Sequence, residues 1–254
     1  ADLLRSYCLG LVPLVTPAGS NPMSRWLLVQ DLGRQPYGPV LELQRGLARQ
    51  RLAGELEEDL LLLVEHEPVI TLGRATRAQS LQTSGAELAR RGIEVHEVER
   101  GGDVTYHGPG QLVGYPIFDL REHRQDLHWY LRTLEEGLVR ALDTLGIPAG
   151  TIPGLTGVWT RGRKIASIGI HVKQWVTYHG FALNVNTELS YFDLIIPCGI
   201  RDVVMTSVAM ELGRTNAEAV WVDTRQAVIE AIAGSFGLRV PAPVAFERPI
   251  GFSP

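Results

Sequence analysis

Gly157-Val158-Trp159-Thr160-Arg161-Gly162-Arg163-Lys164-Ile165-Ala166-Ser167-Ile168-Gly169-Ile170-His171-Val172-Lys173 is the stretch that decides the fold class. Two β-prone runs, Gly157–Thr160 and Lys164–Lys173, flank the turn Arg161-Gly162-Arg163. So short a connection joins antiparallel neighbours. A third run, Gly180–Asn186, extends the array. Upstream, Trp26–Gln30 reads as a strand, and Pro39–Arg51 as a helix with Val40, Leu41, Leu43, Leu47 and Leu52 on its inner face. Leu60–Val64 reads as a buried strand, and Pro68–Arg74 continues the sheet after a bend at Glu67-Pro68. Ser84–Arg91 is a short helix, Ile93–Val98 alternates as a strand, and Leu112–Phe118 is another strand. Asp126 caps an amphipathic helix carrying Leu127, Leu131, Leu134, Leu138, Leu142 and Leu145, stopped by Gly146 and Pro148. Asp223–Gln226 has the form of a capping box opening a last helix, with Val228, Ile229, Ile232 and Phe236 inward. Blocks of helix between runs of strand give an α+β class with a mixed or antiparallel sheet, not a doubly wound one.

Composition sets the outer limits. The 254 residues are 45% hydrophobic and 20% charged, an ordinary globular balance. A net charge of −4 argues against a general nucleic-acid binder. No apolar run approaches the roughly 18 residues that cross a membrane. Two cysteines, Cys8 and Cys198, make neither a disulfide framework nor a cysteine-rich zinc site. A reducing cytoplasm suits them. Only Lys164 and Lys173 are lysines among many arginines. A retained lysine is notable because arginine cannot release its proton at any useful pH. Residues 1–22 read as a dispensable extension ahead of a single domain spanning 23–254.

Arg100-Gly101-Gly102-Asp103-Val104-Thr105-Tyr106-His107-Gly108-Pro109-Gly110-Gln111 holds four glycines in twelve residues. Val104–Tyr106 favours a strand and His-Gly-Pro-Gly a turn. A tight hairpin without chemistry is one reading; an arginine at the entrance and a histidine at the turn favour a binding loop. Three further segments put reactive side chains beside glycines: Lys164–Gly169, Tyr178-His179-Gly180 through Asn184, and Pro197-Cys198-Gly199. Singly, each has a dull reading as a solvated lysine, a turn histidine or an inert thiol.

Together, in order, these segments resemble the lipoyl(octanoyl) transferase family, from about Met23 to Arg214. The first matches its Arg-Gly-Gly-x-x-x-x-His-Gly-Pro-Gly-Gln motif, the second its Lys-x-x-Ser/Ala-x-Gly segment. His179–Asn184 matches its His-Gly-x-Ala-Leu-Asn strand and Pro197-Cys198-Gly199 its nucleophile motif. The resemblance implies the catalytic fold shared with biotin and lipoate ligases. It makes Cys198 the acyl-thioester nucleophile and Lys164 the group that lowers its pKa. It lays the acyl substrate along Arg100, Gly101, Gly102, Asp103, Val104, Thr105, Tyr106, His107, Ser167, Ile168, Gly169, Gly180, Phe181 and Ala182. The implied donor is octanoyl-acyl carrier protein. The implied acceptors are the lipoyl domains of 2-oxoacid dehydrogenases and the glycine cleavage H protein. No cofactor or metal, nucleic acid or membrane is called for. Carrier-protein docking falls to Arg100, Arg161 and Arg163, with Arg74 a weaker candidate. An ATP-dependent lipoate or biotin ligase is the nearest alternative, but it needs a nucleotide-phosphate loop and no nucleophilic cysteine; the chain carries no Gly-x-x-x-x-Gly-Lys-Ser/Thr run. A cysteine thioesterase and a non-catalytic acyl-binding module are further alternatives.

Overall fold

A computed structural model describes residues 25–197 and 203–241. The array that opened the sequence reading forms as β8 (Leu155–Thr160), β9 (Arg163–Lys173) and β10 (Val176–Asn184), all antiparallel. Arg161 and Gly162 both take positive φ, 49° and 76°. Two such residues make the hairpin turn whose twist matches the strands it joins. The next turn uses the same device without a glycine: Gln174 at φ 49° and Trp175 at φ 70°. For that reason β10 starts four residues before the expected Gly180.

These strands form one side of a seven-stranded mixed sheet, in the order β1-β2-β6-β10-β9-β8-β7. The others are β1 (Leu27–Gln35), β2 (Asp59–His66), β6 (Gln111–Ile117) and β7 (Gly150–Ile152); only β1 and β2 pair in parallel. On one face lies α1 (Tyr37–Ala53), burying Val40, Leu43 and Leu47 against Leu60, Leu62, Val64 and Val113. On the other lie α3 (Leu127–Thr144) and α5 (Ala217–Ser235), packing Leu134, Leu138, Val228 and Ile232 onto Leu61, Leu63, Ile165 and Phe181. The sheet interior alternates as a two-sided core requires, with Leu60 and Leu62 facing α1 and Leu61 and Leu63 facing α3. The helices α3 and α5 touch at Gly137, where an added Cβ would lie 2.7 Å from Ile232 Cδ1.

Several expectations change. Val69–Leu72 (β3) does not continue the main sheet; it is the middle strand of a separate three-stranded sheet between β4 (Glu94–Glu97) and β5 (Val104–His107). The bend at Pro68 carries the chain out of one sheet and into the other. β4 is an edge strand whose Val95 is 41% exposed, so its alternation does not mark a buried face. His107-Gly108-Pro109-Gly110 is no hairpin, because β5 and β6 belong to different sheets. Leu127, at the first turn of α3, is also exposed. Asp223 lies inside α5, whose cap is Asn216 accepting from the Ala219 N–H at 3.1 Å. Asp126 caps α3 as read, accepting from the N–H groups of His128 and Trp129. Ser84 caps the short helix α2 (Gly85–Arg90), and α4 (Val208–Leu212) follows Ser207. Among the described residues, no helix is long and apolar enough to cross a membrane.

Candidate active site

The two sheets flank a narrow cleft. Its floor comes from the α1 side of the main sheet. Ser167 on β9 pairs with Ala182 on β10, and Ala182 pairs with Val113 on β6. Gly169 pairs with Gly180 one step along, and Tyr115 stands two residues beyond Val113 on the same face. Ile168 and Phe181 turn their side chains to the opposite core. The floor is therefore carpeted by Ser167, Gly169, Gly180 and Ala182 over β9 and β10, with Val113 and Tyr115 at β6 and His179 of β10 standing at the wall.

The Arg100 loop forms the opposite side, held by close backbone contact. The guanidinium of Arg100 is buried and donates to the Thr71 carbonyl at 2.8 Å and the Thr71 hydroxyl at 2.9 Å. The Gly101 N–H donates to the Ile170 carbonyl at 2.8 Å, stitching the loop to β9. At Gly169 a Cβ would lie 3.0 Å from both Arg100 Cδ and the Gly101 carbonyl oxygen, so glycine lets the loop approach the strand. Asp103 accepts from its neighbour's N–H at 2.7 Å and from the Ser80 hydroxyl at 2.9 Å. The main-chain carbonyl of Ser80 accepts from the Ile196 N–H at 2.8 Å, tying the cleft to the segment that leads to Pro197.

The polar rings at the β6 end are hydrogen-bonded away from the cleft. Gln111 Nε2 donates to Asn184 Oδ1 at 3.0 Å and to the Tyr106 carbonyl at 3.2 Å. Its Oε1 therefore faces His107, whose Nδ1–H donates to it at 2.7 Å. Burial, reinforced by the neighbouring His66, lowers the pKa of His107 to about 3, so the ring is neutral. His66 donates from Nδ1 to the Gln35 carbonyl at 3.0 Å and accepts at Nε2 from the Tyr115 hydroxyl at 2.8 Å. Burial holds its pKa at about 4. His179, buried and at φ 57°, is a strained non-glycine residue on the cleft wall. Its N–H is held by Gln44 Oε1 at 2.9 Å, and its Nε2 lies 3.9 Å from the Glu99 carboxylate.

Lys164 is 0% exposed, with Nζ 5.1 Å from the centroid of the Trp159 ring. A Cβ on Gly157, itself at φ 130°, would lie 3.0 Å from Lys164 Cε, so the lysine fills a fitted slot. Its main chain binds the segment Val204–Thr206: Lys164 N–H donates to the Val204 carbonyl and Thr206 N–H to the Lys164 carbonyl, at 2.8 and 2.9 Å. Asn184 Nδ2 clamps the Thr206 carbonyl at 3.0 Å. The Thr206 hydroxyl donates to Glu211 at 2.6 Å.

Of the residues expected to meet substrate, Arg100, Gly102, Asp103, Thr105, His107, Ser167, Ile168, Gly169, Gly180, Phe181 and Ala182 line the cleft. Gly101 stands behind it as the stitch to β9. Val104 and Tyr106 instead face the core of the small sheet with Ile70 and Phe192, because alternate residues of β5 point away. Lys164 sits three residues before Ser167 on β9 and is not among the cleft's lining residues. Cys198 and Cys8 lie outside the described residues. The sequence reading missed Tyr37, Val113 and Tyr115, and singled out His179 without placing it in the cleft. Of the arginines read as carrier-docking candidates, Arg74 is exposed. Arg100 is buried, and Arg161 and Arg163 are paired with Glu211 at 2.9 and 2.8 Å.

Residues 36–236 match the family model described as the lipoyl protein ligase A/B catalytic domain. An octanoyltransferase of Nostoc sp. is 45% identical over 221 residues, 87% of this chain and 97% of that protein. One from Chloroflexus aggregans is 48% identical over 85% of this chain and 97% of that protein. One from Myxococcus xanthus is 50% identical over 83% of this chain, which spans 58% of that longer protein. Among solved structures, a lipoate-protein ligase A bound with ATP superposes with a TM-score of 0.66 at 17% identity, covering 87% of this chain and 89% of that one. A bi-partite lipoate protein ligase from Thermoplasma acidophilum gives 0.65 at 17%, covering 87% of each. Likeness at that identity speaks for the fold alone.

Proposed function

The chain belongs to the lipoyl protein ligase A/B catalytic family, and from that premise we propose that it is an octanoyltransferase of protein lipoylation. It moves an octanoyl group from the thioester of acyl carrier protein to a lysine of a lipoyl domain, such as those of 2-oxoacid dehydrogenases or the glycine cleavage H protein. Cys198 is the nucleophile and Lys164 its partner. The observation that carries this reading is the setting of Lys164: fully buried, and bonded through its own main chain to Val204 and Thr206, in the segment that follows Pro197-Cys198-Gly199 in sequence by a few residues.

The chemistry follows from the two groups. A free thiol has a pKa near 8.5, and a cation beside it favours the thiolate. The thiolate attacks the octanoyl carbonyl; the carrier's sulfur leaves as a thiolate and takes the Lys164 ammonium proton, which leaves the lysine neutral. With the sulfur now a neutral thioester, the charge that favoured the ammonium is gone, and the lysine becomes able to accept a proton. The acceptor's amine attacks the thioester, an amide forms, the cysteine sulfur leaves, and the surplus amine proton passes to Lys164. Thioester exchange is nearly balanced and amide formation is downhill, so no nucleotide is consumed. The ligase alternative is not favoured: the octanoyltransferases match at 45–50% identity, the solved ligases at 17%.

The test is transfer itself. Octanoyl-carrier protein, an apo lipoyl domain and the enzyme, with no ATP present, should yield octanoylated lipoyl domain. Product that forms only from free octanoate and ATP would assign the chain to the ligases instead.

A further inference from the structure

We infer that Val113 and Tyr115, at the β6 end of the cleft, are the stop that sets the length of acyl chain accepted. This rests on the octanoyltransferase reading and deepens it. The floor of the cleft runs across the strands, not along them: small residues on β9 and β10, then Val113 and Tyr115. On that reading the reacting end lies on the β9 side, where the main chain of Lys164 meets the segment Val204–Thr206 that follows Cys198 in sequence. From β9 to β6 is two strand spacings of ~4.8 Å, or roughly 10 Å. An extended eight-carbon chain, with C–C bonds of ~1.5 Å, spans roughly 9 Å. Two more carbons would carry the tail into the side chains of β6.

The stop is rigid because its rings lock one another. The Tyr115 hydroxyl is tied to His66, and His66 to the Gln35 main chain. Tyr37 packs edge-on against His66 at 5.1 Å and lies parallel to His107 at 6.1 Å. The Tyr115 hydroxyl, both His66 nitrogens and His107 Nδ1 are spent on one another, on the Gln35 main chain and on Gln111, so none of these atoms is left to pair with a ligand. Tyr115 cannot swing aside without leaving a buried His66 nitrogen unpaired.

The test uses small octanoyl-type thioesters of six to fourteen carbons, which bypass carrier docking, and reads kcat/KM for acylation at each length. The wild-type protein should prefer eight carbons. Val113→Ala and Tyr115→Leu should move the preference toward ten or twelve, raising the ten-to-eight ratio by about ten-fold or more, since each methylene in an apolar pocket is worth that order. Val113→Phe should move it toward six. Because the valine variants shift in opposite directions, they carry the test even if the tyrosine variant does not fold. A wild type selective for eight carbons with both valine variants unshifted, or slowed equally at every length, overturns the stop alone. A wild type that takes no acyl group of any length overturns the transferase reading and the stop with it.

Discussion

Gly73→Ala is a substitution behind the cleft-lining loop that should damage transfer. Gly73 lies just after β3, and a Cβ there would sit 2.4 Å from the Gly102 carbonyl oxygen, 2.7 Å from Arg100 Nη1 and 3.1 Å from the Arg100 carbonyl oxygen. Carbon needs ~3.5 Å from such neighbours, so one backbone must retreat by about 1 Å. Two hydrogen bonds resist the retreat, Arg74 N–H to Arg100 at 3.1 Å and Ala75 N–H to Gly102 at 3.0 Å. Overpacking of this kind costs about 1–3 kcal/mol. Arg100 and Gly102 both line the cleft, so the same 1 Å displaces a wall that positions substrate. A misplacement of ~1 Å can lower the rate by about 100-fold. Urea unfolding and the kcat/KM of octanoyl transfer, measured on the same preparation, read the two effects. Gly85→Ala is the control, since nothing lies within 4 Å of a Cβ there. A Gly73→Ala protein with unchanged unfolding midpoint and unchanged kcat/KM would refute the claim that this contact holds the loop.

Other expected outcomes come from the same geometry. On the proposed pairing of Lys164 with Cys198, Lys164→Arg keeps a cation beside the thiol, so iodoacetamide should still label Cys198 quickly at neutral pH. Transfer to a lipoyl domain should nonetheless fall by about 10²–10⁴-fold, because arginine cannot take the amine proton; near-normal transfer would move the base role elsewhere. His66 and His107 are held neutral in the fold, at about 4 and about 3, against about 6.5 when unfolded. The unfolded chain thus takes up protons first as the pH falls. Stability should be full above about 6.5 and decline below it, by up to ~1.4 kcal/mol per pH unit for each histidine, until their folded pKa values are reached. Urea midpoints between pH 7 and 5 would show this, and His107→Gln should remove about one proton's worth of the slope. Asn216→Ala should cost about 1 kcal/mol as a lost helix cap, while Asp223→Ala should change stability by less than about 0.5 kcal/mol; the reverse order would put the start of α5 back at Asp223.

What could be read in the chain depended on how local its cause was. The β8–β9 hairpin was legible because Gly162 punctuates it, and the α1, α3 and α5 faces because their leucines and valines repeat at helical spacing. The Gln174-Trp175 turn was not, since neither residue advertises positive φ. Asp223-Thr-Arg-Gln226 has the composition of a cap but sits mid-helix, and only the chain preceding it decides between the two. The split into two sheets at Pro68 and again at Gly108–Gly110 was also hidden, because strand sequences do not name their partners. At the site, glycine-flanked motifs pointed to most of the cleft. Tyr37, Val113 and Tyr115 carry no motif, and they reach it only because α1 and β6 pack across it.

The central claim is a covalent octanoyl intermediate on Cys198 that forms without a nucleotide. Incubating the protein with octanoyl-carrier protein in the absence of ATP, then weighing the intact chain by mass spectrometry, tests it directly. One octanoyl group should appear on the wild-type protein, map to Cys198, and disappear when an apo lipoyl domain is added. It should be missing from Cys198→Ser. An unmodified wild-type protein that still transfers octanoyl, or a Cys198→Ser variant with full turnover, would contradict the account.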